Sequence, residues 1–309
     1  MAKAGNGGFF VRNKENVERQ DESGYMEFYE MIKQMQESLN KDKLVIFVGA
    51  GVSKNSGVPT WGQMVRMFAE QMEYPVERLS TDEYIRIPQY FYGMDDSEGH
   101  KAYYETLKRI ISPETEPNIL NDLIVKLHPK HIVTTNYDKL MDKVAEGYEI
   151  IRQDRDLLKA QANHYLIKMH GDIDNVEEVV FKETDYLQYS ESHRLMETFL
   201  KSLLIDHVFL FVGYSLNDYN LNTFTSWIEF IAQEMNVKKE MHKNFFLSSS
   251  DHAGKKYLRK YYEDKGLQVI DIYDLPEEVE KRSEEILLEE ELGRRTYAVL
   301  ELLRKEQMK

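Results

Sequence analysis

Six short, mostly apolar runs alternate with stretches of helical periodicity, and that alternation sets the fold class. Residues 44–48 (Leu-Val-Ile-Phe-Val) and 208–212 (Val-Phe-Leu-Phe-Val) carry no polar position. Runs without a wet face read as strands buried on both sides. Residues 132–135, 165–169, 245–247 and 267–272 predict four more. Between them, apolar residues recur at helix spacing: Phe28, Ile32, Met35 and Leu39; Val65, Phe68, Ala69 and Met72; Leu120, Leu123, Ile124 and Leu127. Further helical patterns lie at 218–235 and 253–264. Repeated βα alternation predicts a doubly wound, Rossmann-like α/β fold around a mainly parallel sheet.

Three segments depart from that rhythm. Residues 1–24 are polar and contain Gly7-Gly8, which predicts a flexible arm. Residues 74–117 hold four prolines and a helical pattern at Tyr103, Leu107, Ile110 and Ile111, which predicts a small helical insertion over the sheet. Its tyrosines (Tyr84, Tyr90, Tyr92, Tyr103 and Tyr104) either build that insertion's core or line a pocket. From residue 276 the chain becomes a charged helical tail, leaving 25–275 as the main domain.

Composition narrows the chemistry. The 309 residues include no cysteine, which removes disulfides, thiol nucleophiles and zinc sites built on Cys ligands. A net charge of −14 opposes stable binding to a phosphate backbone, so nucleic acid is not an expected partner. No apolar run approaches the ~18 residues of a membrane span, and the first residues lack a signal core. A cytoplasmic protein without membrane contact is expected.

Polar and glycine residues then collect where strands end, which is where open α/β sheets bind ligands. The first strand runs into Gly49-Ala50-Gly51, with Ser53 in the following turn. Such a turn lets backbone approach a phosphate closely, or is an ordinary βα connection. The next ends are Asn136-Tyr137-Asp138, His170-Gly171-Asp172 and Gly213-Tyr214-Ser215. Four such ends converge on one crevice.

In this order the motifs Gly49-Ala-Gly-Val-Ser53, Ser56-Gly-Val-Pro59, Thr134-Thr-Asn-Tyr-Asp138, His170-Gly171 and Gly213-Tyr-Ser215 resemble a sirtuin catalytic core over about 43–272. The wording Lys168-Met-His-Gly-Asp172 and Val212-Gly-Tyr-Ser-Leu-Asn-Asp218 is similar to the NAD-consuming domains of bacterial antiphage defence proteins: defence-associated sirtuins, Thoeris effectors and partners of HerA-type ATPases. Deacylating sirtuins carry a four-cysteine zinc module between the last two motifs, and a G-I-P-x-F-R phrase where this chain has Thr60-Trp61 after the proline.

The resemblance implies an NAD⁺ glycohydrolase that releases nicotinamide and ADP-ribose, needs neither zinc nor another cofactor, and depletes NAD⁺ during infection. It implies Asn136 and His170 as the catalytic pair, with His170 acting near neutral pH. Asp138 would lie beside the carboxamide and the water. Gly49, Ala50, Gly51 and Ser53 would cradle the pyrophosphate through backbone N–H groups and one hydroxyl, and Gly213 and Ser215 would hold the adenosine side. Asp271, ending the last strand, is a further candidate for the adenosine end. Expected partners are NAD⁺, further copies of the chain, and either a HerA-type ATPase or a phage-protein trigger. Transfer of an acyl or ADP-ribosyl group, and nucleotide sensing without turnover, are the alternatives.

Overall fold

Leu44, Ile46 and Val48 pack on one side of their strand and Val45 and Phe47 on the other, and all five are buried. That is why the run has no alternation. The computed structural model describes residues 14–304 except 77–78, 81, 112–113, 215–218, 235–242 and 250–254. Its strands are β1 (Leu44–Val48), β2 (His131–Thr134), β3 (Glu149–Ile151), β4 (Tyr165–Lys168), β5 (Val208–Val212), β6 (Asn244–Ser248) and β7 (Leu267–Asp271). They form one sheet in the order β3-β4-β2-β1-β5-β6-β7, with every pair parallel. Ile46 sits level with Ile132 on one side and Leu210 on the other.

Two layers of helices cover the sheet. On the Leu44 face lie α1 (Lys14–Asn40), α6 (Ile119–Lys126), α7 (Leu140–Val144), α14 (Glu277–Glu284) and α15 (Glu291–Arg304). On the Phe47 face lie α11 (Arg194–Asp206), α12 (Tyr219–Glu234) and α13 (Lys255–Asp264), with Phe224 edge-on to Phe47 at 4.5 Å between ring centres. Short helices α2 (Ala50–Lys54), α8 (Asp154–Leu157), α9 (Glu183–Leu187) and α10 (Tyr189–Ser192) fill the connections.

A third core lies beyond the strand ends, among α3 (Trp61–Gln71), α4 (Glu83–Met94) and α5 (Lys101–Ile111), around Phe68, Ile87, Tyr103 and Leu107. This is the helical stretch expected at 74–117. Its tyrosines divide between both readings: Tyr103 is core, while Tyr84 faces a cleft.

Four expectations change. β3 was not foreseen, because three residues with only Ile151 buried carry no period. Thr135, Met169 and Ile272 lie one residue past their strands, the usual uncertainty of strand ends. Residues 14–24, expected in a flexible arm, belong to α1, and 1–13 lie outside the described residues. The charged tail is also structural, since Val279, Ala298, Val299, Leu300 and Leu303 join the core that holds Leu44 and Ile46. Among the described residues no helix is long and apolar enough to cross a membrane.

Leu300 is completely buried, so Leu300→Ala is expected to lower the unfolding free energy by about 2–5 kcal/mol in urea titrations. A loss within 0.5 kcal/mol would show that α15 is dispensable to the core.

Candidate active site

The strand order reverses at β1, with β2 on one side and β5 on the other. At such a switch point the connections leave in opposite directions and open a crevice above the carboxyl ends. Here the β1 and β5 turns meet backbone to backbone. Gly49 N–H donates to the Val212 carbonyl at 2.8 Å, and Gly51 N–H to the Gly213 carbonyl at 2.9 Å. A Cβ on Gly49 would fall 2.6 Å from the Gly213 oxygen, and one on Gly51 would fall 2.9 Å from the Gly213 Cα. Gly213 also has a φ of +77°, in the region that favours glycine. Two of the amides expected to cradle a phosphate are therefore committed to β5. The glycines serve close approach, and Ala50, Gly51 and Gly213 form the resulting floor.

A second set of bonds fixes β2 to this turn. Thr134 Oγ1 donates to the Val48 carbonyl at 2.8 Å and accepts the Asn136 N–H at 3.0 Å. Asn136 Nδ2 then reaches back to the Gly49 carbonyl (3.1 Å) and to Ser53 Oγ (2.9 Å). Tyr214 adds a third tie: its hydroxyl donates to the Val48 carbonyl at 3.2 Å and lies 2.9 Å from Thr135 Oγ1. Both amide hydrogens of Asn136 are thus directed at the β1 turn, which fixes how its carbonyl oxygen is presented.

Asn136, Asp138, Ser53 and His170 line one narrow cavity of about 40 Å³, together with Trp61 and Tyr186. Asp138 also accepts the Leu140 N–H at 3.0 Å, capping the turn into α7. His170 is buried against the edges of Tyr186 and Tyr189, with ring centres 5.5 and 5.8 Å away. Its Nδ1 has no hydrogen-bond partner. Burial pushes its pKa down to about 3, so the ring is neutral at pH 7 rather than poised near neutrality as expected.

Ala50 and Trp61 are shared with a second cleft of about 560 Å³, which runs from the glycine turn past Leu247 and Ile272 to Thr296. Its size suits a nucleotide-scale ligand. Asp271 is not part of it: Ile272 lines this cleft, whereas Asp271 lines a separate hollow between α1 and α14. Ser53, expected at the phosphates, belongs to the narrow cavity instead. Ser215, together with the Asn217-Asp218 pair that the motif carries, lies outside the described residues. The wall built by Glu290, Leu292, Gly293 and Thr296 was not foreseen, and nothing local in the sequence marks it.

A family model described as a SIR2-like domain matches residues 130–270, the span from β2 to β7 that holds Asn136 and His170. That span is similar to SIR2-like domains. Defense-associated sirtuin 2 of Bacillus subtilis is 36% identical over 255 residues, covering 80% of this chain and 25% of that protein. NAD(+) hydrolase ThsA of Cytobacillus dafuensis is 31% identical over 204 residues, covering 64% of this chain and 40% of that protein. NAD(+) hydrolase ThsA of Enterococcus faecium is 27% identical over 254 residues, covering 78% and 52%. The chain therefore spans between a quarter and about half the length of these relatives.

The matched span also holds a buried charge cluster that no local pattern in the sequence marks. Lys168, at the end of β4, is buried and donates to the Asp138 carbonyl (2.5 Å) and to Asp142 (2.9 Å), with Asp172 at 3.4 Å. Arg152 bonds both carboxylates, and Lys139 Nζ lies 2.9 Å from Asp142 and 3.1 Å from Asp172. Burial alone raises both carboxyls. The Lys168 charge, with hydrogen bonds from its neighbours, outweighs that and holds both below the usual carboxylate range. The cluster ties the loop carrying Asn136 to the loop carrying His170. Losing Lys168 leaves two buried carboxylates in partial want of charge, so Lys168→Met is expected to cost about 3–5 kcal/mol. Chemical denaturation checks this, and an unchanged midpoint contradicts it.

Acid should weaken the fold in two stages. His170 and His131 both have pKa values lowered by burial to about 3. Their contribution is complete above the unfolded value of about 6.5 and is lost as pH falls toward the folded one. The depressed Asp142 and Asp172 act by the same sign, below about pH 4. Urea denaturation at pH 7 and pH 5 is expected to differ by about 1–2 kcal/mol per imidazole, whereas equal midpoints would refute the buried, neutral assignment.

Proposed function

We propose that this chain is an NAD⁺ glycohydrolase domain that releases nicotinamide and ADP-ribose. One observation carries the reading: the Asn136 amide and the unpartnered Nδ1 of a buried, neutral His170 sit at the same narrow cavity, beside a nucleotide-sized cleft at the switch point. The relatives named NAD(+) hydrolase support it.

In this reading the nicotinamide end of NAD⁺ points toward the narrow cavity. The pyrophosphate crosses Ala50 and Gly51, and the adenosine end lies toward Leu247 and Ile272. Water attacks C1′ of the ribose as the C–N bond breaks. The bond's electron pair leaves with nicotinamide, which departs neutral, so its nitrogen needs no acid. The proton lost by the water goes to solvent, and the products are nicotinamide, ADP-ribose and H⁺. A neutral imidazole accepts a hydrogen bond from a ribose hydroxyl or the attacking water, which a protonated one does not. Asn136, with its NH₂ group held by Gly49 and Ser53, presents its oxygen as an acceptor for the carboxamide or the water. Asp138 occupies the cavity wall beside it. Preorganised groups of this kind contribute by orientation as well as by polarity.

The same proposal places the chain in antiphage defence, acting in the cytoplasm as part of a larger assembly that switches it on. The name of the Bacillus subtilis relative supports the defence role alone. No resident cofactor enters the scheme.

Nicotinamide release from NAD⁺, followed by chromatography, tests the reading. Asn136→Ala and His170→Ala are each expected to lower kcat by about 10²-fold or more, with ADP-ribose accompanying nicotinamide in the wild type. Bound NAD⁺ that stays intact in the activated assembly contradicts it. An acyl- or protein-linked ADP-ribose product instead of the free sugar would favour the transferase alternative.

A further inference from the structure

A dinucleotide brings two phosphate charges into the cleft, and the glycine turn is less able to meet them than its motif implies. The Gly49 and Gly51 amides already bond the Val212 and Gly213 carbonyls, and the whole chain carries a charge of −14. Among the described residues lining the cleft, Lys54 is the one cation and Glu290 the one anion. They are bonded to each other, Lys54 Nζ to Glu290 Oε2, at 2.9 Å.

This pair joins distant parts of the chain across the cleft mouth. Lys54 ends α2, directly after the glycine turn, and Glu290 precedes α15. The two elements are held together underneath. Asn55 Nδ2 donates to the Gly51 carbonyl at 2.9 Å, and its buried oxygen has no partner. That side chain packs against Gly293 so closely that a Cβ there would lie 1.9 Å from Asn55 Oδ1. The side chains of Lys54 and Glu290 remain about 40% exposed (41% and 39%). An ion pair at that exposure is weak, and a pyrophosphate brings two adjacent negative charges to Lys54 where Glu290 brings one.

Resting on the NAD⁺ reading, we propose that Lys54 is the phosphate-binding cation of this cleft and that Glu290 competes with the substrate's pyrophosphate for it. Substrate entry then exchanges one partner of Lys54 for another. The α14–α15 connection sets affinity through the position of a single carboxylate.

Calorimetric titration with ADP-ribose, which keeps the pyrophosphate and has no bond to nicotinamide, tests this in the full chain. Adenosine, which lacks phosphate, is the control. Glu290→Gln is expected to lower the Kd for ADP-ribose at least threefold, and Lys54→Gln to raise it at least threefold. In the doubly substituted chain the Glu290→Gln gain disappears. Adenosine binding stays the same throughout. An unchanged or weaker ADP-ribose affinity in Glu290→Gln overturns the proposal. So does a gain that persists without Lys54, which would mark simple repulsion by Glu290, and so does a parallel shift with adenosine. Nicotinamide release by the same proteins in the activated assembly separates the two claims: intact NAD⁺ with the expected Kd pattern contradicts only the hydrolase reading, and turnover with flat Kd values contradicts only the role of Lys54.

Discussion

The site depends on two turns that touch through their backbones. β1 and β5 are neighbours with both faces buried, so their turns leave the sheet side by side. Glycine at 49, 51 and 213 removes the side chains that would hold those turns apart, and the Gly49 and Gly51 amides bond across the gap. Thr134, Asn136 and Tyr214 add their polar atoms to the same junction. Asn136 therefore has a double part: its NH₂ group closes the junction while its oxygen remains the group to be offered. A substitution there acts on orientation and on chemistry together.

Charge is arranged in two layers around this junction. Beneath the narrow cavity, Lys139, Arg152 and Lys168 neutralise Asp142 and Asp172, so the loops bearing Asn136 and His170 are joined by ion pairs rather than by the sheet alone. Above it, His170 is kept uncharged by burial against two tyrosines. In the proposed reaction such a site offers hydrogen-bond acceptors to a substrate with a positive nicotinamide ring, without placing a competing cation beside it.

Much of this was legible in the sequence, for identifiable reasons. Five-residue apolar runs such as 44–48 admit few conformations, and a Gly, Asn or His directly after such a run must lie at a strand end. That logic places Ala50, Asn136, Asp138 and His170 around one crevice. It fails where meaning depends on partners far along the chain. The bonding of Gly49 and Gly51 to β5, the separation of Asp271 from Ile272, and the cleft wall at Glu290–Thr296 all arise from packing between segments that no local pattern links. Lys168 reads as an ordinary polar residue until Asp142 and Arg152 are brought beside it.

The most direct test of the account is a crystal structure of the Asn136→Ala protein with NAD⁺ bound. The account predicts the pyrophosphate over Ala50 and Gly51, between the β1 and β5 turns, with the nicotinamide ring pointing toward Ser53, Asp138 and His170. A dinucleotide lying reversed in that cleft, or seated in the hollow between α1 and α14 beside Asp271, would contradict it.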